Sequence, residues 1–198
     1  MESVDRIREE ILVLKAQLGE EEAFVELVRR YQPRLLYYVR RLVRSGDLAE
    51  DVTQNVWAIV FRKLPGLKVE KAFSVWLYRI ARAQAVNMIR EESHYAELPD
   101  DYDAAEDSGI EEGAEDEEVF SPLAAARIHR ALERLTPEHR EALTLRFMEN
   151  MSYEAISEVV GRRPGTVKSR IYYAKRALRK EMEALRNERP ERSQERTS

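Results

Sequence analysis

Twelve of the residues between 97 and 118 are Asp or Glu, and none is Lys or Arg. Like charges at this density repel one another, and the stretch has little apolar area to offset the entropy of ordering it. The chain is therefore expected to fold as modules on either side of an acidic connector. Both flanks have the opposite sign. Residues 23–92 carry 13 Lys+Arg against 7 Asp+Glu, and residues 119–184 carry 13 against 8. The overall charge of −4 averages over these blocks. A polyanion would meet the local field, so a nucleic-acid partner is compatible with an acidic total.

With 198 residues and 43% apolar content, the chain can bury one ordinary core or two small ones. Cys is absent, which removes disulfides and every Cys-based metal or nucleophile site. His94, His129 and His139 are scattered among charged neighbours, so no metal and no cofactor is expected. Carboxylates are plentiful, but the densest run lies in the connector, and no phosphate loop or nucleophile constellation accompanies them; the chain reads as a non-enzyme. The N-terminus is acidic and lacks a long apolar stretch, which predicts neither signal peptide nor membrane span and a cytoplasmic location.

Hydrophobic spacing predicts helices almost throughout. Residues 4–18 form a short amphipathic helix ending near Gly19. A second runs from Glu21 to Leu42 on the apolar set Phe24, Leu27, Val28, Tyr31, Leu35, Tyr38 and Leu42, with a kink or break at Pro33. Asp47 reads as an N-cap with Glu50 completing a capping box, ahead of a helix from Leu48 to Leu64 that Pro65-Gly66 stops. Ser74 starts another, from Val75 to Glu91 or Glu92. Beyond the connector, helices follow from Pro122 to Leu135, from Thr136-Pro137 to Phe147, from a Ser152 cap over Tyr153 to Val160, and from Pro164 to Leu185. The fold class is all-α: an N-terminal helical domain over 1–92, a linker over 93–121, a C-terminal domain over 122–186 and a frayed tail over 187–198. A charged linker offers little area to fix the two domains, so their mutual orientation is expected to vary.

Residues 152–180 give the most specific local pattern. A short helix, a Gly161 turn and a second helix make a helix-turn-helix. Val167, Ile171, Ala174 and Leu178 face inward at spacings of four, three and four. Between Gly161 and Lys180 there are eight Lys+Arg and no acid. A helix entering the major groove needs such a polar leading face, with cations to reach phosphates.

The residues add more than the period. Ser152-Tyr153-Glu154-Ala155-Ile156, then Gly165-Thr166-Val167-Lys168-Ser169-Arg170 and Ala174-Lys175-Arg176-Ala177-Leu178, resemble the C-terminal domain of extracytoplasmic-function sigma factors of bacterial RNA polymerase. Upstream, Tyr31-Gln32-Pro33-Arg34-Leu35, Asp47 to Gln54 with Trp57, and Phe73 to Arg82 resemble their N-terminal domain. Two motif groups in the right order cover about residues 20–92 and 122–185.

That resemblance implies a transcription initiation factor that binds core polymerase, directs it to promoter DNA and helps open the duplex. It implies core-polymerase contacts at Asp47, Asp51, Gln54, Val56 and Trp57. The downstream promoter element, as a single strand, would be met by Lys68, Lys71, Arg79, Arg82, Asn87 and Arg90, since cations follow a backbone and pockets hold extruded bases. The upstream element would be read by Arg163, Gly165, Thr166, Lys168, Ser169, Arg170, Tyr172, Tyr173 and Arg176. An anti-sigma protein is an implied partner. The linker is open to three readings: a tether, a segment threading through polymerase, or an acidic mimic folding onto the Gly161–Lys180 patch.

The chain also departs from the pattern. Asn55 stands where many relatives carry an acid, Ala83-Gln84-Ala85-Val86-Asn87 differs from their usual Asn and Asp, and Tyr173 occupies a frequent Arg position. These departures leave open a sigma-like polymerase-binding protein deficient in promoter melting, and the helix-turn-helix by itself would also suit a stand-alone DNA-binding regulator.

Overall fold

In a computed structural model, residues 2–43, 45–68, 72–92 and 122–187 are described. The acidic linker, Lys71 and the tail beyond Asn187 lie outside the described residues. Every regular element among those described is helical. They are α1 (Glu2–Gln17), α2 (Glu21–Leu42), α3 (Gly46–Lys63), α4 (Phe73–Glu92), α5 (Pro122–Glu133), α6 (Pro137–Leu143), α7 (Tyr153–Val160) and α8 (Pro164–Asn187). A 3-10 turn at Leu64–Gly66 follows α3, and a π-helical turn at Thr144–Met148 extends α6.

Helices α1 to α4 pack as a bundle. Leu27, Leu35, Tyr38 and Val39 of α2, Val52, Val56 and Val60 of α3, and Phe73, Leu77, Ala81 and Ala85 of α4 are all fully buried. The helix through Pro33 is continuous. Proline removes one backbone donor, but Tyr31 and Leu35 on either side are locked in the core, which outweighs the lost bond. The start of α3 differs from expectation. Ser45 is the N-cap, its Oγ accepting from Leu48 N, while Asp47 lies in the first turn and Glu50 pairs with Arg40 at 3.0 Å. Ser and Asp are both good caps, and the choice falls to the residue whose backbone stays extended.

In the second half, α5, α6 and α7 pack on α8. The local signals there act as the sequence predicts. Thr136 Oγ1 accepts from His139 N, Ser152 Oγ accepts from Ala155 N, and Gly161 ends α7 in the left-handed region at φ 68°.

The two halves are not independent. A single buried cluster runs from Val13 through α2, α3 and α4 into Ala142, Leu145, Met151, Ile156, Val159, Val160, Val167 and Ile171 of the second half. The expectation of a variable mutual orientation is therefore corrected: α7 lies against α4, and α6 against α2. Complementary apolar faces on α4 and α7 hold them together, reinforced by polar contacts. Tyr38 Oη donates to Glu141 Oε1 at 2.8 Å, and Arg82 Nε donates to the same oxygen at 3.0 Å. Arg34 pairs with Glu149 at 2.9 Å, and Arg41 Nη2 donates to His129 Nδ1 at 2.8 Å.

Candidate nucleic-acid interface

The basic surface on the second half is built by α8. Val167, Ile171 and Ala174 are buried, so this helix must present its other faces outward. Its start is the turn that Gly161 and Pro164 create. The N-terminal backbone N–H groups and helix dipole there favour an anionic ligand such as a phosphate. Arg163, Gly165, Lys168 and Arg176 are exposed, while Thr166, Ser169 and Arg170 are half-buried in or near the first turns. The Ser169 hydroxyl donates to Gly165 O at 3.0 Å, which leaves its oxygen lone pairs to accept. Tyr172 and Tyr173 meet edge to face at 5.3 Å; Tyr172 is half-buried beneath Arg176, whose guanidinium lies 5.8 Å from its ring, and Tyr173 is the exposed one. Nearby, Lys175 lies 5.7 Å from the ring of Phe147, an exposed aromatic. All nine upstream candidates thus sit on one helix and its entry turn.

Arg170 has a second neighbour. Burial and then the Arg170 charge lower the pKa of His139 below its ordinary 6.5, so its neutral form is favoured.

The α4 candidates divide. Arg79, Asn87 and Arg90 are exposed on the helix, and Lys68 is exposed just after the 3-10 turn. Arg82 is half-buried and held by Glu141 of the second half. Burial places Glu149 in a similar role across the same seam, and that burial raises its carboxyl pKa although Arg34 pulls the other way. The Tyr78 hydroxyl is buried beside Glu149 without a well-formed hydrogen bond; burial and the Glu149 charge keep its proton on.

On α3, Asp47, Asp51 and Gln54 form part of an exposed face. Val56 does not belong to it. That residue is fully buried, because the spacing that brings Asp51 and Gln54 outward turns position 56 to the core with Val52 and Val60. Trp57 is also nearly buried, its Nε1 donating to Gln32 Oε1 and its ring edge-on to Phe24 at 6.1 Å. The residue that sequence reasoning missed is Phe61, 65% exposed on α3 and stacked edge-on to Phe24 at 5.1 Å. An apolar residue in a helix reads as core by default, so only its solvent exposure marks it.

Comparison with known proteins places these surfaces in two matched regions. Residues 27–95 match Sigma-70 region 2, and residues 125–178 match Sigma-70, region 4. The chain is similar to the RNA polymerase sigma-H factor of Pseudomonas aeruginosa, with 35% identity over 185 residues, covering 89% of this chain and 95% of that protein. It is likewise similar to the ECF RNA polymerase sigma-E factor of Escherichia coli, with 33% identity over 188 residues, covering 91% and 97%. Among solved structures, the fold is similar to the sigma factor RpoE bound to the anti-sigma factor NepR from Bartonella quintana, with a TM-score of 0.62 at 23% identity over 81% of this chain and 96% of that one. CnrH in complex with the cytosolic domain of CnrY gives 0.61 at 22%, over 92% and 99%.

Proposed function

The chain belongs to the sigma-70 family of RNA polymerase sigma factors, in the extracytoplasmic-function group, and from that membership we propose how its surfaces divide the work of promoter-specific initiation. Transcription initiation directed to particular promoters is the function of the whole chain. The exposed α3 face with Asp47, Asp51 and Gln54, extended by Phe61, docks on core polymerase. Trp57 supports that face from beneath through Phe24. Lys68, Lys71, Arg79, Asn87 and Arg90, with Arg82 once it leaves Glu141, follow the non-template strand of the downstream element. Arg163, Gly165, Thr166, Lys168, Ser169, Arg170, Tyr173 and Arg176 meet the upstream element as duplex. Tyr172 backs Arg176 there.

The chain itself performs no covalent step; its contribution is binding, positioning and strand capture. Among the described residues no helix is long and apolar enough to cross a membrane, and no group of His, Cys, Asp and Glu could hold a metal. Its place of action is the cytoplasm, with polymerase. An anti-sigma protein is the regulatory partner we infer, because the similar sigma factor RpoE of Bartonella quintana is solved with one.

The observation that supports this division is the acid-free stretch of α8 and its turn, eight Lys+Arg between Gly161 and Lys180, joined to a separate region 2 match. A stand-alone regulator would need only the first. The test is transcription from a genomic fragment library by bacterial core polymerase, with and without the protein, sequencing the transcript starts. New starts sharing two spaced upstream motifs are expected. Core binding without new starts would instead indicate a factor deficient in melting, and no core binding would indicate the stand-alone regulator.

A further inference from the structure

Helix α1 has two apolar faces, and only one is used. Val13 is buried, Leu12 and Ala16 pack on the first core, Glu9 pairs with Arg30, and Gln17 Nε2 donates to Leu64 O and Leu67 O. These contacts pin the helix down along one side. On the opposite side Val4, Ile7, Ile11, Leu14 and Leu18 point to solvent, with exposures from 44% at Leu14 to 83% at Leu18. Their spacings are three, four, three and four, which is the heptad spacing of a coiled-coil seam. A contiguous exposed apolar stripe on a helix already anchored elsewhere marks an interaction surface.

We propose that this stripe pairs with the α1 stripe of a second copy of the chain, as a parallel two-stranded coiled coil. The a positions are Val4 and Ile11, continued by Leu18 in the turn that ends the helix, and the d positions are Ile7 and Leu14. Val4 and Ile11 at a with Leu14 at d fit the pattern of two parallel strands, from which Ile7 at d departs. The border charges choose the direction. In a parallel pair, Glu10 at g meets Lys15 at e of the other copy, twice by symmetry, and the charges attract. In the antiparallel pair that sets Val4 against Leu14, Arg8 faces Arg8 and Glu10 faces Glu10 of the other copy, and both pairs repel. Within one chain Glu10 pairs with Arg6 at 3.7 Å and Lys15 with Glu20 at 3.1 Å. Exposed pairs of this kind exchange partners at little cost. The seam is short beside a standard interface of about 800 Å² per partner, so the association is weak and concentration-dependent.

Sedimentation equilibrium of the full chain over a wide concentration range, extending to hundreds of micromolar, is expected to show monomer and dimer in exchange. Ile11→Lys should leave a folded monomer, with unchanged circular dichroism, because the position is exposed. Glu10→Lys should weaken dimerisation by roughly tenfold, and Glu10→Lys combined with Lys15→Glu should restore it. Because the chain lacks Cys, direction can be read by oxidation. Leu14→Cys alone should cross-link to itself. A preference for disulfides in a mixture of Val4→Cys and Leu14→Cys chains over Leu14→Cys self-pairing would mean an antiparallel pair and overturn the proposal. So would a monomer at every concentration, or a dimer indifferent to Ile11→Lys.

Discussion

At the scale of single residues, the seam between the halves turns on Glu141. Its carboxylate is nearly buried and accepts from both Tyr38 and Arg82. Glu141→Ala leaves the buried Tyr38 hydroxyl without a partner, and should lower stability by about 2–3 kcal/mol. Tyr38→Phe leaves the Arg82 bond in place and should cost about 1 kcal/mol. Urea midpoints at unchanged slope measure both, and equal costs would remove Glu141 from the centre of the contact. His139 gives a pH signature. Its folded pKa lies below its ordinary 6.5, so its contribution is present above that value and is lost as pH falls through it. Glu149 has the opposite sign: its raised carboxyl contributes below the ordinary value of 4.5 and loses that contribution as pH rises through the folded value. His139→Gln should therefore flatten the stability profile between about pH 7 and 5 without changing it in more alkaline solution, as thermal melts across that range would show.

At the scale of elements, the helix-turn-helix rests on two local devices. Ser152→Ala removes the cap that bonds Ala155 N, and Gly161→Ala forces a side chain into φ 68°; each should cost about 1 kcal/mol in chemical denaturation. On α8, Lys168→Ala should relax selectivity among upstream-element variants. Arg176→Ala should instead weaken all of them alike and reduce the salt slope of binding by about one. Polymerase-dependent transcription from a panel of promoter variants at several salt concentrations separates the two outcomes. These devices are legible in the sequence because they are local: Ser152, Gly161 and the Thr136-Pro137 start act within a few residues of themselves. The Ser45 cap is less so, since Ser45 and Asp47 are chemically interchangeable there and only the backbone path decides. Val56 is buried and Phe61 exposed. The resemblance puts Val56 on the working surface, but helical spacing turns it inward, while no spacing rule flags an aromatic residue that stays outside. Glu141 and Glu149 are unreadable in the sequence because their partners lie more than fifty residues away and their meaning depends on how the halves meet.

At the scale of the molecule, the shared core makes the halves one cooperative body. Both tryptophans, Trp57 and Trp76, belong to the first half, whereas Ile156 lies fully buried in the second. Ile156→Ala should cost about 2–5 kcal/mol and shift the tryptophan fluorescence midpoint together with the far-UV circular dichroism midpoint. A fluorescence transition that ignores Ile156 would show that the halves melt separately. The docking of α7 on α4 has a further bearing on assembly. A partner that needs these helices apart, to reach two places along one duplex, finds its target only in the fraction of molecules whose seam is broken. Its observed affinity is the intrinsic one multiplied by that fraction, so each additional 1.4 kcal/mol in the seam weakens recruitment about tenfold. The same substitution that makes the protein melt earlier would then make it quicker to answer polymerase: thermal resilience and readiness to initiate are set against each other by one patch of aliphatic contact.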